Sequence, residues 1–142
     1  MTGVLIRRAA PEDLGALLEL VREFYLVDGH DYDRDALARA LGPLLSGDEH
    51  GGAWLFDTGY AVLTWGYSLE SGGREALLDE FYVRDRGRGT GSAVLAELVG
   101  VARDAGASRV FLETERPNGA ARRFYRRNGF TQEDSTWLSL VL

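Results

Sequence analysis

Between Ala53 and Val83 the chain runs through three stretches rich in β-branched and aromatic residues: Ala53-Trp54-Leu55-Phe56, Gly59 to Leu69, and Ala76 to Val83. Only the turn signals Asp57-Thr58-Gly59 and Ser71-Gly72-Gly73 separate them. Short β-type runs joined by such turns predict an antiparallel meander of three strands. On either side the hydrophobic period changes to that of a helix. Upstream, Leu14, Leu17, Leu18, Val21, Phe24 and Tyr25 recur at spacings of three and four, which makes one apolar helix face. Pro11-Glu12-Asp13 suits the first turn of that helix and Gly29 its end.

The remaining elements follow from the same cues. Val4-Leu5-Ile6 reads as a first strand, and residues 34–45 as a second helix weakened by Gly42 and Pro43. From Ser92 to Ala105 the helical pattern returns, with Val94, Leu95, Leu98 and Val101 on one face and Gly106 as the stop. Arg109 to Glu115 predicts another strand. Pro117-Asn118 opens a short helix that Asn128-Gly129 closes, and Trp137 to Leu142 predicts a last strand. Strand and helix alternate in the final third, which implies a parallel pair joined by a crossover helix. The expectation is one mixed α/β domain over residues 1–142, with no repeat and no linker.

Composition narrows the chemistry. The 142 residues are 45% hydrophobic and 27% charged, the balance of a globular domain. The net charge of −6 argues against nucleic-acid binding, which needs a basic footprint. With no cysteine, disulfides, thiolate metal sites and a cysteine nucleophile are excluded, and two histidines are few for a metal site. No apolar run approaches the ~20 residues that span a bilayer. The first residues lack the apolar core of a signal peptide, so the expectation is a cytoplasmic protein without membrane or metal.

Residues 84–92, RDRGRGTGS, sit between a strand pattern and a helix pattern. The dinucleotide fingerprint fails in both frames, since Ser92 or Val94 stands where Gly or Ala is required. No Gly-Lys-Ser/Thr string exists, so a P-loop is excluded too. The physics of an anion nest remains: glycines let backbone amides curl inward at a helix N-terminus, and Arg84, Arg86 and Arg88 add charge. On the loop alone, a basic β–α turn explains the pattern equally well.

Two motifs in order decide between these readings. Arg86-x-x-Gly89-x-Gly91, after LLDEFYV and before an amphipathic helix, resembles the coenzyme A pyrophosphate loop of the GNAT acetyltransferase superfamily. Asn118-Gly-Ala-Ala121-Arg-Arg-Phe124-Tyr125, then Asn128-Gly129-Phe130, resembles that superfamily's following motif. The element order from Val4 to Leu142 matches as well. One departure stands out: Val83 is followed only by Arg84-Asp85 before Arg86, about two residues fewer than the superfamily's usual spacer.

The resemblance implies a GNAT-like fold, a mixed sheet of about six to seven strands with four helices, in which a splayed parallel pair holds acetyl-CoA. It implies that Phe81, Tyr82 and Val83 pair with the pantetheine amides like an added strand. Arg86, Gly87, Arg88, Gly89, Thr90, Gly91 and Ser92 would hold the pyrophosphate, while Asn118, Ala121 and Phe124 line the pantetheine arm. The implied reaction is direct acetyl transfer to the primary amine of a small molecule, with Tyr125 as proton donor to the departing thiolate. Asp79 and Glu80 are adjacent on a strand and so face opposite ways. Some resemblance to diamine acetyltransferases favours Asp79 as the group that meets the acceptor amine, with Glu80 next and Glu113 third. Phe24, Tyr25, Tyr32, Trp54, Trp65 and Tyr67, with Asp28, Asp31 and Asp33, are candidates for a pocket suited to a cationic acceptor. A protein or peptide acceptor, and a non-catalytic coenzyme-binding protein, are the alternatives; a homodimer is compatible with the resemblance.

Overall fold

The computed structural model describes residues 5–84 and 89–142. The chain forms two compact units, Met1–Leu112 and Glu113–Leu142. The first holds a five-stranded sheet in the order β1 (Arg7–Arg8), β2 (Gly51–Phe56), β3 (Gly59–Ser68), β4 (Gly73–Val83) and β5 (Val110–Phe111). The first four strands pair antiparallel, which confirms the meander, and β5 joins β4 in parallel. Helices α1 (Leu14–Asp28), α2 (Arg34–Ser46) and α3 (Thr90–Asp104) belong to the same unit, while α4 (Gly119–Arg127) belongs to the second.

One face of the sheet is covered by α1 and α2. Leu17, Leu18 and Val21 of α1 and Leu41, Leu44 and Leu45 of α2 form a single core with Ala53, Tyr60, Val62 and Tyr82. Helix α2 continues through Pro43, although proline removes one intrahelical hydrogen bond. Burial of Leu41, Leu44 and Leu45 outweighs that loss, at roughly 1.5–3 kcal/mol for each fully buried side chain. Asp33 caps its start by accepting the Ala36 amide at 3.2 Å. Helix α3 packs on β4 and buries Val94, Leu95, Leu98 and Ala102. Ala61, Leu63, Ala76, Leu78 and Val83 are buried outside the first core, and strand alternation turns the β3 members away from it.

Three strand expectations change. Leu5 and Ile6 are not in a strand: the Leu5 amide donates to both oxygens of Glu97 at 3.0 Å, and the Ile6 amide to Oε1 at 3.3 Å. Pairing starts only at Arg7 and Arg8, opposite Leu55 and Trp54. Val4 lies outside the described residues. The strand expected over Arg109 to Glu115 is confined to Val110–Phe111. The strand expected over Trp137 to Leu142 does not form among the described residues. An alternating apolar pattern says which face a strand would bury, whereas a strand exists only where a ladder partner satisfies its backbone. The sheet therefore has five strands among the described residues in place of six or seven, and the four helices stand as expected.

Candidate active site

Strand β4 carries both candidate carboxylates, Asp79 and Glu80. Its register with β3 slips once: Val62 faces Glu80, but Leu63 faces Leu78, so Asp79 is an extra residue in a β-bulge. A bulge bends the strand and re-aims its side chains. Simple alternation over Asp79 and Glu80 therefore does not hold. After the bulge, Glu80 and Tyr82 turn toward α1, as their contacts with that helix record. Beyond Leu77, which pairs with Phe111, β5 ends while β4 runs on to Val83. The parallel pair is thus joined only at its start.

Glu80 is half-buried and held from two sides. The Tyr25 hydroxyl of α1 donates to Oε2 at 2.5 Å, and the Tyr60 hydroxyl of β3 donates to Oε1 at 2.6 Å. Burial pushes the Glu80 carboxyl above the usual range and the Asp79 charge adds to this, while the two phenols and His30 pull the other way. Asp79 is exposed as a residue, yet the chain around its carboxyl pushes its pKa up as well. Burial, reinforced by Glu80, raises both phenols well above the ordinary tyrosine value, so they stay protonated donors. His30 pairs with Asp28 at 2.8 Å and meets the Tyr25 ring edge-on at 5.7 Å between centroids.

The end of β4 is anchored as firmly. Tyr82 donates its hydroxyl to Glu23 Oε1 at 2.7 Å, and Arg84 grips both Glu23 oxygens. The Arg84 amide also donates to the Thr58 carbonyl at 2.6 Å. Arg84, expected to add charge to the loop, is thus engaged by an α1 carboxylate. These contacts hold the backbone just past the end of β4 through Arg84, while Asp85, the rest of the short spacer, lies outside the described residues. Phe81 packs against Phe56 at 6.2 Å, and Val83 is buried opposite Gly59.

Arg86, Gly87 and Arg88 lie outside the described residues. Gly89 is the N-cap of α3, with φ of 78°, and brings no side chain to cap the first turn, which opens with Thr90 and Gly91. First-turn amides lack acceptors within a helix and the dipole there favours negative charge, so this terminus fits a pyrophosphate.

In the second unit, Asn118 caps α4 by accepting the Ala121 amide at 3.0 Å. The Asn128-Gly129-Phe130 stop folds back, with the Phe130 amide donating to the Tyr125 carbonyl at 3.0 Å. Half-buried Tyr125 is then wedged between Phe124 and Phe130, edge-on at 5.1 and 5.5 Å. Glu113 lies beyond β5, outside any strand.

The aromatic and acidic pocket candidates separate. Phe24, Tyr25 and Tyr32 pack against the first core, and of these Tyr25 touches Glu80. Trp54 is buried under Arg8, Trp65 carries Arg74 over its ring, and Tyr67 is exposed. Asp33 caps α2 and Asp28 pairs with His30. Glu23 and Tyr60 were missed by the sequence reading, because their partners lie 61 and 20 residues away, beyond any local pattern.

Comparison with known proteins agrees with this architecture. No curated protein sequence matches the chain. A solved integron cassette protein from the mobile metagenome of Cole Harbour Salt Marsh is 33% identical, with a TM-score of 0.85 over 97% of this chain and 90% of that one. A candidate acetyltransferase from Arthrobacter sp. FB24 is also 33% identical, with a TM-score of 0.82 over 100% and 96%. An aminoglycoside acetyltransferase from an uncultured soil metagenomic sample, solved with sisomicin, shares the fold at 19% identity, with a TM-score of 0.77 over 96% and 95%. The acetyltransferase (GNAT) family matches residues 14–130, most of the chain. With these motifs and this fold, the chain belongs to the acetyltransferase (GNAT) family.

Proposed function

We propose that residues 1–142 form one N-acetyltransferase domain that moves the acetyl group of acetyl-CoA to the primary amine of a small molecule. The observation that carries this reading is the bulge at Asp79, which sets two carboxylates with raised pKa side by side where β4 leaves β5. An amine is protonated near neutral pH and must lose a proton before it attacks, so a carboxylate with raised pKa is a suitable acceptor. Glu80 is the better-placed base, since its oxygens are held; exposed Asp79 supplies negative charge that draws the ammonium in.

Bound, acetyl-CoA supplies a thioester-activated acyl group. The amides of Thr90, Gly91 and Ser92 bind the pyrophosphate at the α3 N-terminus, joined by Arg86, Gly87, Arg88 and Gly89. Backbone groups of Phe81 to Val83 would receive the pantetheine arm as an added strand; the roles of Asn118, Ala121 and Phe124 toward coenzyme A rest on the family's motif. The Tyr125 hydroxyl would donate its proton to the departing sulfur, a role that rests on the family's motif; its ring packs between Phe124 and Phe130.

The test is release of coenzyme A from acetyl-CoA over a panel of diamines, aminoglycosides and peptides. The fold shared with an aminoglycoside acetyltransferase makes acceptors with several amines a natural arm of that panel. Transfer to a small amine supports the reading. Tight acetyl-CoA binding with no transfer to any acceptor would instead make the protein a non-catalytic binder.

A further inference from the structure

We propose that Tyr25 and Tyr60 are positioning residues, which hold the Glu80 carboxylate, one phenol on each oxygen, where the acceptor amine gives up its proton. This rests on the reading of Glu80 as the proton acceptor.

The two phenols come from different layers. Tyr60 is fully buried in β3, directly opposite Tyr82, and its ring meets Phe24 and Tyr82 at 6.2 Å each. It therefore cannot swing away from Glu80 without disturbing the core. Tyr25 approaches from α1, and its backbone carbonyl accepts the His30 amide at 2.9 Å just past the helix end.

The terminal torsion of a glutamate is normally broad. Two donors on opposite oxygens remove that freedom, so the carboxylate is oriented before substrate arrives. A carboxylate has about four lone-pair sites, and two phenols leave sites open for an amine N–H. The phenols also favour the charged form that burial opposes, and a proton acceptor must be charged when the ammonium arrives. A half-buried carboxylate between two tyrosines is a costly way to join a helix to a sheet, since apolar side chains would do so without desolvating a charge. Besides the two phenols, the titratable groups that face Glu80 are Asp79 beside it on β4 and His30 from the α1–α2 connection.

The test compares wild type with Tyr60→Phe and Tyr25→Phe, each keeping the ring. Glu80 is titrated by the carbon-13 shift of its carboxyl, assigned with Glu80→Gln, and the acid limb of kcat/KM is followed with spermidine as the probe acceptor. Each variant should raise the Glu80 midpoint by about one pH unit and carry the acid limb with it, with the KM for acetyl-CoA unchanged. Thermal melting confirms that each variant folds, and Tyr25→Phe, at the half-buried position, serves if Tyr60→Phe does not. An unmoved midpoint overturns the proposal, as does a midpoint that moves while the acid limb stays. Failure of the parent reading is a different result: no amine consumes acetyl-CoA, and the midpoint alone then decides whether the phenols hold the carboxylate.

Discussion

Glu23 and Arg84 meet as a two-point ion pair, with Arg84 Nε donating to Oε1 at 2.8 Å and Nη2 to Oε2 at 2.7 Å. The pair fastens α1 to Arg84, the residue just past the end of β4. Two residues further along the same helix, Tyr25 fastens Glu80. One helix thus fixes both the carboxylate end and the loop end of β4, and the planar guanidinium makes the second contact directional.

That pair has a pH signature. Arg84 above all, and then the Tyr82 hydroxyl, lower the Glu23 pKa from 4.5 to about 2. Its contribution is fully present above pH 4.5 and is lost as pH falls toward about 2. Thermal melts of wild type and Glu23→Gln should therefore differ by a constant interval above that window and converge below it. A gap independent of pH would remove the ion pair as its cause. Because the pair is partly exposed, added salt should narrow the gap.

Gly59 faces the end of β4 at a distance that no side chain allows: a Cβ there would lie 1.7 Å from the Tyr82 carbonyl oxygen. Gly59→Ala should cost about 1–3 kcal/mol in urea denaturation, as overpacking does. Gly15→Ala is the matching control, since a Cβ there meets nothing within 4 Å. As the second residue of α1 it should stabilise by up to about 0.5–1 kcal/mol. Equal effects at the two positions would contradict the close approach.

At the head of α3, Gly89 holds a left-handed conformation with φ of 78°. Gly89→Glu combines strain with negative charge at the expected pyrophosphate site, and calorimetric titration should show no acetyl-CoA binding. Gly89→Asn tolerates that backbone better and should retain most of the affinity. Normal affinity in Gly89→Glu would remove the cradle from this terminus.

Tyr125→Phe should lower turnover by about 100-fold or more while leaving the acetyl-CoA Kd near that of wild type. Unchanged turnover would end its assignment as proton donor and leave the ring as a packing residue between Phe124 and Phe130.

Much of this could be read along the chain, for reasons that particular residues make plain. The three- and four-residue spacing of Leu14, Leu17, Leu18 and Val21 marks a helix face because the helical period is local, and the turn glycines mark the meander for the same reason. The motif spanning Asn118 to Phe130 is likewise a local device: a capped helix whose stop returns an aromatic ring to Tyr125. Segments without a local partner were the ones misread. Leu5 and Ile6 give their amides to Glu97, and Trp137 to Leu142 has strand composition but, among the described residues, no ladder.

By itself the sequence determined the helices, the three-strand meander, their order and the family to which these motifs belong. Tertiary structure decided what each charged group does. Arg84 looked like part of an anion cradle until α1 placed Glu23 against it, and Asp79 and Glu80 looked like alternating neighbours until the register slip inserted Asp79. Only the packing of α1 and β3 on β4 brings Tyr25 and Tyr60 to the two oxygens of Glu80. Helical and strand periods arise from contacts a few residues apart, and the sequence displays them. The ion pair and the carboxylate clamp join residues 20 to 61 positions apart, and the bulge sits between strand residues 15 to 18 apart; only the folded chain brings those together.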